Sequence, residues 1–173
     1  LVMSERISDH LPKTQKYLPK QRLWYIRANE VLISSGSIER PLVFGNNDTP
    51  GVMLSSAAKE YMKVYGVLVG KKPLIFTNND SGYETAIEFK KNGVNPIILD
   101  TRSNPSSDII TEAKNLNIEI KFSYVVVAAK GYKKVKSADI AKISDDKKEL
   151  FNIENIECDC ICVSGFWTPS IPV

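Results

Sequence analysis

The amino-acid sequence predicts an α/β fold, a central parallel sheet that carries an antiparallel β insert. Three observations lead there. Two short apolar runs, Pro73 to Thr77 (PLIFT) and Asn95 to Asp100 (NPIILD), flank an amphipathic segment, Asp80 to Gly93, and strand, helix and strand in that order make a parallel βαβ unit. Upstream, SSAAKEYMKVYG has apolar residues at helical spacing and stops at Gly66, where a glycine closes a helix without strain. Downstream, IEIKF, YVVVAAKG and YKKVKSADI are strand-like runs with a Lys-Gly turn, the pattern of an antiparallel insert.

In chain order, Arg22 to Ser34 (RLWYIRANEVLIS) is an apolar alternation followed by a continuous apolar run. It predicts two strands with a turn at Ala28-Asn29. Phe44 to Gly51 (FGNNDTPG) is a turn-rich connection. Ser55 or Ser56 is placed to cap the helix that runs to Tyr65, and Ser106 or Ser107 to cap another that runs to Lys114. Ile156 to Val163 predicts a final strand, which ends at Ser164-Gly165 and runs into FWTPS.

Composition narrows the function. The chain is 43% apolar and 25% charged with a formal charge of +3, which excludes disordered and collagenous classes. The basic run Lys130 to Lys136 (KGYKKVK) is balanced by Asp145, Asp146, Glu149 and Glu154, so it reads as a solvated edge and not as a nucleic-acid footprint. No run approaches the ~18 apolar residues of a membrane span, and residues 1–20 lack a signal-peptide core. A cytoplasmic protein is expected.

Cys158, Cys160 and Cys162 alternate in ECDCICVSG. In one strand all three would share a face about 7 Å apart, a poor geometry for a disulfide, where Cα atoms lie roughly 5.5–6 Å apart. With His10 the single histidine and no zinc-type spacing, free buried thiols and no metal are expected. His10, in a polar Lys-rich segment, is expected to be exposed, and Trp24, Tyr25 and Trp167 to sit in a core or at a domain interface. No catalytic set assembles from these residues.

The turn after PLIFT is the candidate site. A nicotinamide-binding βα turn carries G-x-G-x-x-G/A, because small residues let backbone amides and the helix N-terminus reach the pyrophosphate. Here Thr77-Asn78-Asn79-Asp80-Ser81-Gly82 fills that place, so the fold expected is Rossmann-like and FAD/NAD(P)-binding in type. Thr77 and Asn79 stand at the first two glycine positions, and Gly82 keeps the third. Asn tolerates a left-handed backbone, but its side chain at position 79 takes up space where the second glycine admits phosphate. The carboxylate of Asp80 is placed either to cap the free amides or to set negative charge near a phosphate. Asp100 ends the next strand 18 residues after Gly82, where an acid bonds a ribose 2′-hydroxyl and favours NAD over NADP. A working cleft and a vestigial one are both open at this stage, with weak or undetectable NAD binding expected.

Several ordered motifs carry a resemblance. The turn aligns without a gap with the GGGDSAVEEA-like turn of thioredoxin-reductase-type flavoproteins. Val31 to Phe44 (VLISSGSIERPLVF) resembles their strand-ATG segment, with Ser34-Ser35-Gly36 at the small-residue turn. Residues 38–67 are similar to the ERPLVF-x-x-ND-x-PGVML segment of heterotetrameric sarcosine oxidase alpha subunits, and KKPLIFTNNDSGYETA continues like their FTNNDSAY stretch. DCICVSGFWTPS, Asp159 to Ser170, looks like their D-x-x-x-x-SGGW-S-P segment, with Phe166 where a second glycine is usual, and QRLWYIRA fits as well. The resemblance is weakest from about Ser103 to Glu154.

The resemblance implies a two-dinucleotide fold of the pyridine nucleotide-disulfide oxidoreductase type. Within it, residues 1–70 would be part of the first dinucleotide domain with its connection, residues 71–154 the NAD(P)-type Rossmann domain, and residues 155–173 the return strand. Ser35 and Gly36 would then belong to the cofactor-binding set beside Thr77 to Gly82 and Asp100. It implies oxidative demethylation of sarcosine to glycine by a complex with beta, gamma and delta subunits, using FAD, FMN, NAD and tetrahydrofolate. The parts that hold the flavins and folate, and the glycine-rich NAD turn of the first Rossmann half, have no counterpart here. With Leu1 in place of an initiator methionine and Val173 just after a strand-like run, the chain is expected to be an internal, non-catalytic piece. An amine or proline dehydrogenase alpha subunit and an assembly domain with a vestigial cleft are the alternatives.

Overall fold

A computed structural model describes residues 1–13 and 16–171. The chain forms two compact units, one of residues 1–35 with the C-terminal end and one of residues 36–170. In the first, β1 (Val2–Arg6) pairs antiparallel with β2 (Gln21–Tyr25). Ser8 is buried there and its hydroxyl donates to the Pro19 carbonyl at 2.9 Å. His10 is half exposed, 3.6 Å from Asp9. The second strand expected in Val31 to Ser34 does not form: these residues pair with no strand among the described residues, and Leu32 is 95% exposed. Trp24 and Tyr25 lie on the exposed β2 and belong to no core.

The second unit opens with β3 (Ser37–Arg40), β4 (Val52–Leu54) and α1 (Ser55–Tyr65). It continues with β5 (Pro73–Thr77), α2 (Ser81–Lys91), β6 (Ile97–Asp100), α3 (Asp108–Asn115) and β7 (Glu119–Phe122). Then come β8 (Tyr124–Lys130), β9 (Ser137–Ile143), β10 (Leu150–Glu157), β11 (Cys160–Ser164) and β12 (Phe166–Pro169). The central sheet is five-stranded and parallel throughout, in the order β4-β11-β5-β6-β7. A three-stranded antiparallel sheet, β10-β9-β8, is the insert, and β12 pairs with β3 as a separate ribbon.

Why β5 and β11 read as unbroken apolar runs is now plain. Each is buried on both faces, as parallel strands between two covering layers must be. Ile75, Ile98, Cys160 and Cys162 pack against α1, α2 and α3 through Ala58, Phe89 and Ile110. Leu74, Phe76, Leu99, Ile161 and Val163 face the other way, onto Val126, Ala129 and Ile140 of the antiparallel sheet.

Several expectations are corrected. IEIKF joins the parallel sheet as β7 instead of the insert, because a strand entered from a helix returns parallel to its neighbour. The insert's third strand is β10, and the run expected as one strand from Ile156 is two, broken at Cys158-Asp159. The break reverses one thiol: Cys158 packs with the antiparallel-sheet layer while Cys160 and Cys162 face the helices. All three cysteines are free and buried. The serines do not cap through their hydroxyls. At α1 the cap position is Leu54, and the carboxylate of buried Glu39 accepts the Ser56 amide at 2.9 Å instead. At α3 Ser107 occupies the cap position without a side-chain bond. Gly66, with φ of 63°, ends α1 as expected.

Candidate functional site

The turn between β5 and α2 lies at the carboxyl edge of the parallel sheet, where β5 and β11 end side by side at Thr77 and Ser164. Open α/β sheets bind ligands at this edge. Thr77 is fully buried, and its hydroxyl donates to the Asn79 carbonyl at 2.8 Å and accepts the Asn79 amide at 3.1 Å. Neither Asn78 nor Asn79 has a left-handed backbone, so the turn stands without the conformation expected of asparagine there. The Thr77 hydroxyl fixes it instead.

The Asn79 carboxamide fills the interior of the turn. Its oxygen accepts the Ser81 amide at 2.8 Å, and its nitrogen donates to the carbonyls of Gly165 at 2.9 Å and Ser164 at 3.3 Å. Asn79, and not Asp80, caps the first amide of α2. The Ser81 hydroxyl in turn accepts from the Trp167 indole nitrogen at 3.0 Å. Trp167 is 41% exposed and lies over the turn, outside any core. Gly82 keeps the packing role expected of the third glycine: a Cβ there would come within 2.7 Å of the Thr77 Cβ.

Asp100 ends β6 fully buried, with both oxygens engaged. The Tyr83 hydroxyl donates to Oδ2 at 2.7 Å. Arg102 donates through its backbone amide at 2.9 Å, through Nε at 3.0 Å and through Nη2 at 2.8 Å. The same Nη2 forms an ion pair with Asp80 Oδ1 at 2.8 Å. Burial by itself lowers the guanidinium pKa, but bonding to Asp100 and Asp80 outweighs it, and the net shift is upward. Burial and then the bond to Asp100 raise the Tyr83 phenol far above its ordinary value. An open volume of about 540 Å³ beside Arg102 is lined by Ser103, Asn104 and Asp145 among others, and by none of Thr77 to Gly82.

Thr77 to Gly82 and Asp100 therefore meet as one cluster. Gly36, with φ of 77°, is not part of it: its carbonyl accepts the Ser170 amide at 2.9 Å, where the β3–β12 ribbon begins. Ser35 belongs to the other unit and ends its N-terminal stretch. Tyr83, Arg102, Ser164, Gly165 and Trp167 complete the cluster and escaped the sequence reading. The one signal for Arg102 is its place two residues after Asp100. Among the described residues no group of three or more His, Cys, Asp or Glu side chains could hold a metal.

No family model matches the sequence. The sequence is 35% identical over 168 residues to the sarcosine oxidase subunit alpha of Rhizobium meliloti (strain 1021), covering 96% of this chain and 16% of that protein. It is 30% identical over 173 residues to the subunit of the same name from Corynebacterium sp. (strain U-96), covering 99% of this chain and 18% of that one. Over nearly its whole length the chain is similar to a segment of sarcosine oxidase alpha subunits. It spans less than a fifth of the length of these relatives. Among solved structures, the thioredoxin reductase of T. acidophilum matches with a TM-score of 0.63 at 17% identity, covering 78% of this chain and 43% of that one. Histamine dehydrogenase from Rhizobium sp. 4-9 matches with a TM-score of 0.59 at 14% identity, covering 79% and 22%. The fold is thus the Rossmann-like fold of the pyridine nucleotide-disulfide oxidoreductase type, as the turn and the βαβ unit led us to expect.

Proposed function

We propose that this chain serves as a non-catalytic part of a sarcosine oxidase alpha subunit, with a dinucleotide-type cleft in residues 71–154 that its own side chains keep closed. The carrying observation is Asn79, whose carboxamide takes the Ser81 amide and the Gly165 carbonyl inside the turn. A dinucleotide pyrophosphate needs those helix amides free, and a ribose needs an accepting oxygen that Asp100 has already committed to Tyr83 and Arg102. The residues present therefore do not fit NAD at this turn. Ser35, Gly36, Thr77 to Gly82 and Asp100 are read as structural counterparts of a cofactor site and not as ligands.

In the complete enzyme the reading places FAD, FMN, NAD and tetrahydrofolate on other segments and on the beta, gamma and delta partners. Oxidation of sarcosine to glycine occurs there. A cytoplasmic location accords with the reading, and among the described residues no helix is long and apolar enough to cross a membrane. The relatives by sequence share the sarcosine oxidase name, which favours this substrate over those of an amine or proline dehydrogenase. The purified chain is expected to be colourless and to form no peroxide from sarcosine, while the complete subunit with its partners oxidises it. A stoichiometric flavin band in the isolated chain, or a complete enzyme that prefers a different amine, overturns the reading.

A further inference from the structure

The loop that joins β8 to β9, residues 131–136, combines three features that rarely coincide by accident: a pinned backbone, a concentration of unpaired cations and a fully displayed aromatic ring. The backbone is held by three hydrogen bonds. The Lys136 amide donates to the Lys130 carbonyl at 2.8 Å, the Val135 amide to Pro50 at 2.9 Å, and the Cys158 amide to the Lys136 carbonyl at 3.2 Å. Val135 is fully buried between its charged neighbours. Gly131, with φ of 149°, lies so close to the Lys134 carbonyl that no side chain could be added there.

On this fixed base the outward side chains carry charge. Lys130 is paired with Asp139 at 2.9 Å, but Lys133, Lys134 and Lys136 form no ion pair among the described residues. Tyr132 is 92% exposed, and the four side chains at 132, 133, 134 and 136 bound a concave volume of about 440 Å³. A loop meant only to be solvated has no need of such anchoring. Side chains on an ordered backbone lose less entropy when a partner arrives, and Tyr with adjoining cations is the composition of an interface anchor.

We propose that Tyr132 with Lys133, Lys134 and Lys136 is a docking surface for an acidic segment of a protein partner. A nucleic-acid ligand is disfavoured by the acids beside the patch. Asp139 and Glu157 border it on neighbouring strands, through the pairs Lys130–Ser137 and Glu157–Ser137 of the ladder, and would interrupt a phosphate track. A short peptide with clustered carboxylates complements the three cations, and the exposed Tyr132 ring is placed to contact its aliphatic stems. The surface lies away from the β5–α2 turn in sequence and in sheet, so it stands independently of the sarcosine oxidase reading.

The isotope-labelled 173-residue chain would be titrated at low salt with a Glu/Asp-rich peptide, its Ser-substituted twin and an oligo-dT of similar charge. The acidic peptide is expected to shift the amides of residues 131–136. Its affinity should fall by roughly tenfold when salt rises from about 50 to about 300 mM, since the contacts are exposed charges. Lys133→Glu with Lys134→Glu should abolish the shifts, and Tyr132→Ala should weaken binding several-fold while the spectrum elsewhere stays unchanged. Shifts centred outside the loop, equal binding by the charge-reversed variant or by the Ser peptide, or tighter binding of the oligonucleotide would each overturn the proposal.

Discussion

A carboxamide has one acceptor and two donors, and the turn after β5 uses them all at Asn79: the Ser81 amide on one side and the carbonyls of Gly165 and Ser164 on the other. A glycine at that position leaves a space for phosphate; an asparagine supplies the bonds itself. Gly82 cannot be exchanged so easily. Gly82→Ala puts a Cβ 2.7 Å from the branched Thr77, and overpacking of this kind costs about 1–3 kcal/mol. Urea unfolding should show a loss in that range, and a neutral result would mean that α2 is free to shift from β5. Arg102→Met should cost about 3 kcal/mol, because Asp100 would remain buried with its charge uncompensated. Adding Asp100→Asn should recover part of that loss, whereas additive losses would show that the pair does not act as one unit.

At the scale of elements, burial on both faces dictates most of what forms. The βαβ core was legible because PLIFT and NPIILD are apolar in unbroken runs and α2 is amphipathic between them. The side of the sheet on which Cys158 falls was not legible, because the break at Cys158-Asp159 depends on Asp159, whose carboxylate accepts the Lys71 and Lys72 amides at 2.8 Å across the sheet. Alternation carries no signal for a contact between residues 88 positions apart. β7 was misassigned for a related reason: strand composition does not state a direction. The position of Cys158 has a thermodynamic consequence. Burial pushes its thiol from an ordinary 9.0 up to about 12, and Cys162 moves in the same direction through its bond to Cys160 and burial. The folded state therefore keeps protons that the unfolded chain releases. That stability is whole below about pH 9 and is lost as pH rises toward about 12. The melting temperature should fall across this window and fall less steeply in Cys158→Ala; identical slopes would place the responsible groups elsewhere.

At the scale of the whole molecule, the larger unit stacks helices, a parallel sheet and an antiparallel sheet, and its candidate site sits at the sheet's carboxyl edge. That placement followed from the sequence, since the edge belongs to any strand that feeds a helix through a short turn. The state of the site did not follow. Thr77, Asn79 and Asp80 pointed to crowding, but closure depends on Arg102 and Tyr83 converging on Asp100 and on Trp167 reaching Ser81, contacts made by the fold across up to 86 positions. The central claim is that these internal bonds stand in place of a dinucleotide. Calorimetric titration of the chain with NAD tests it most directly: the account expects no binding in the micromolar range, and a micromolar dissociation constant, about 8 kcal/mol, that is lost in Asp100→Ala would contradict it.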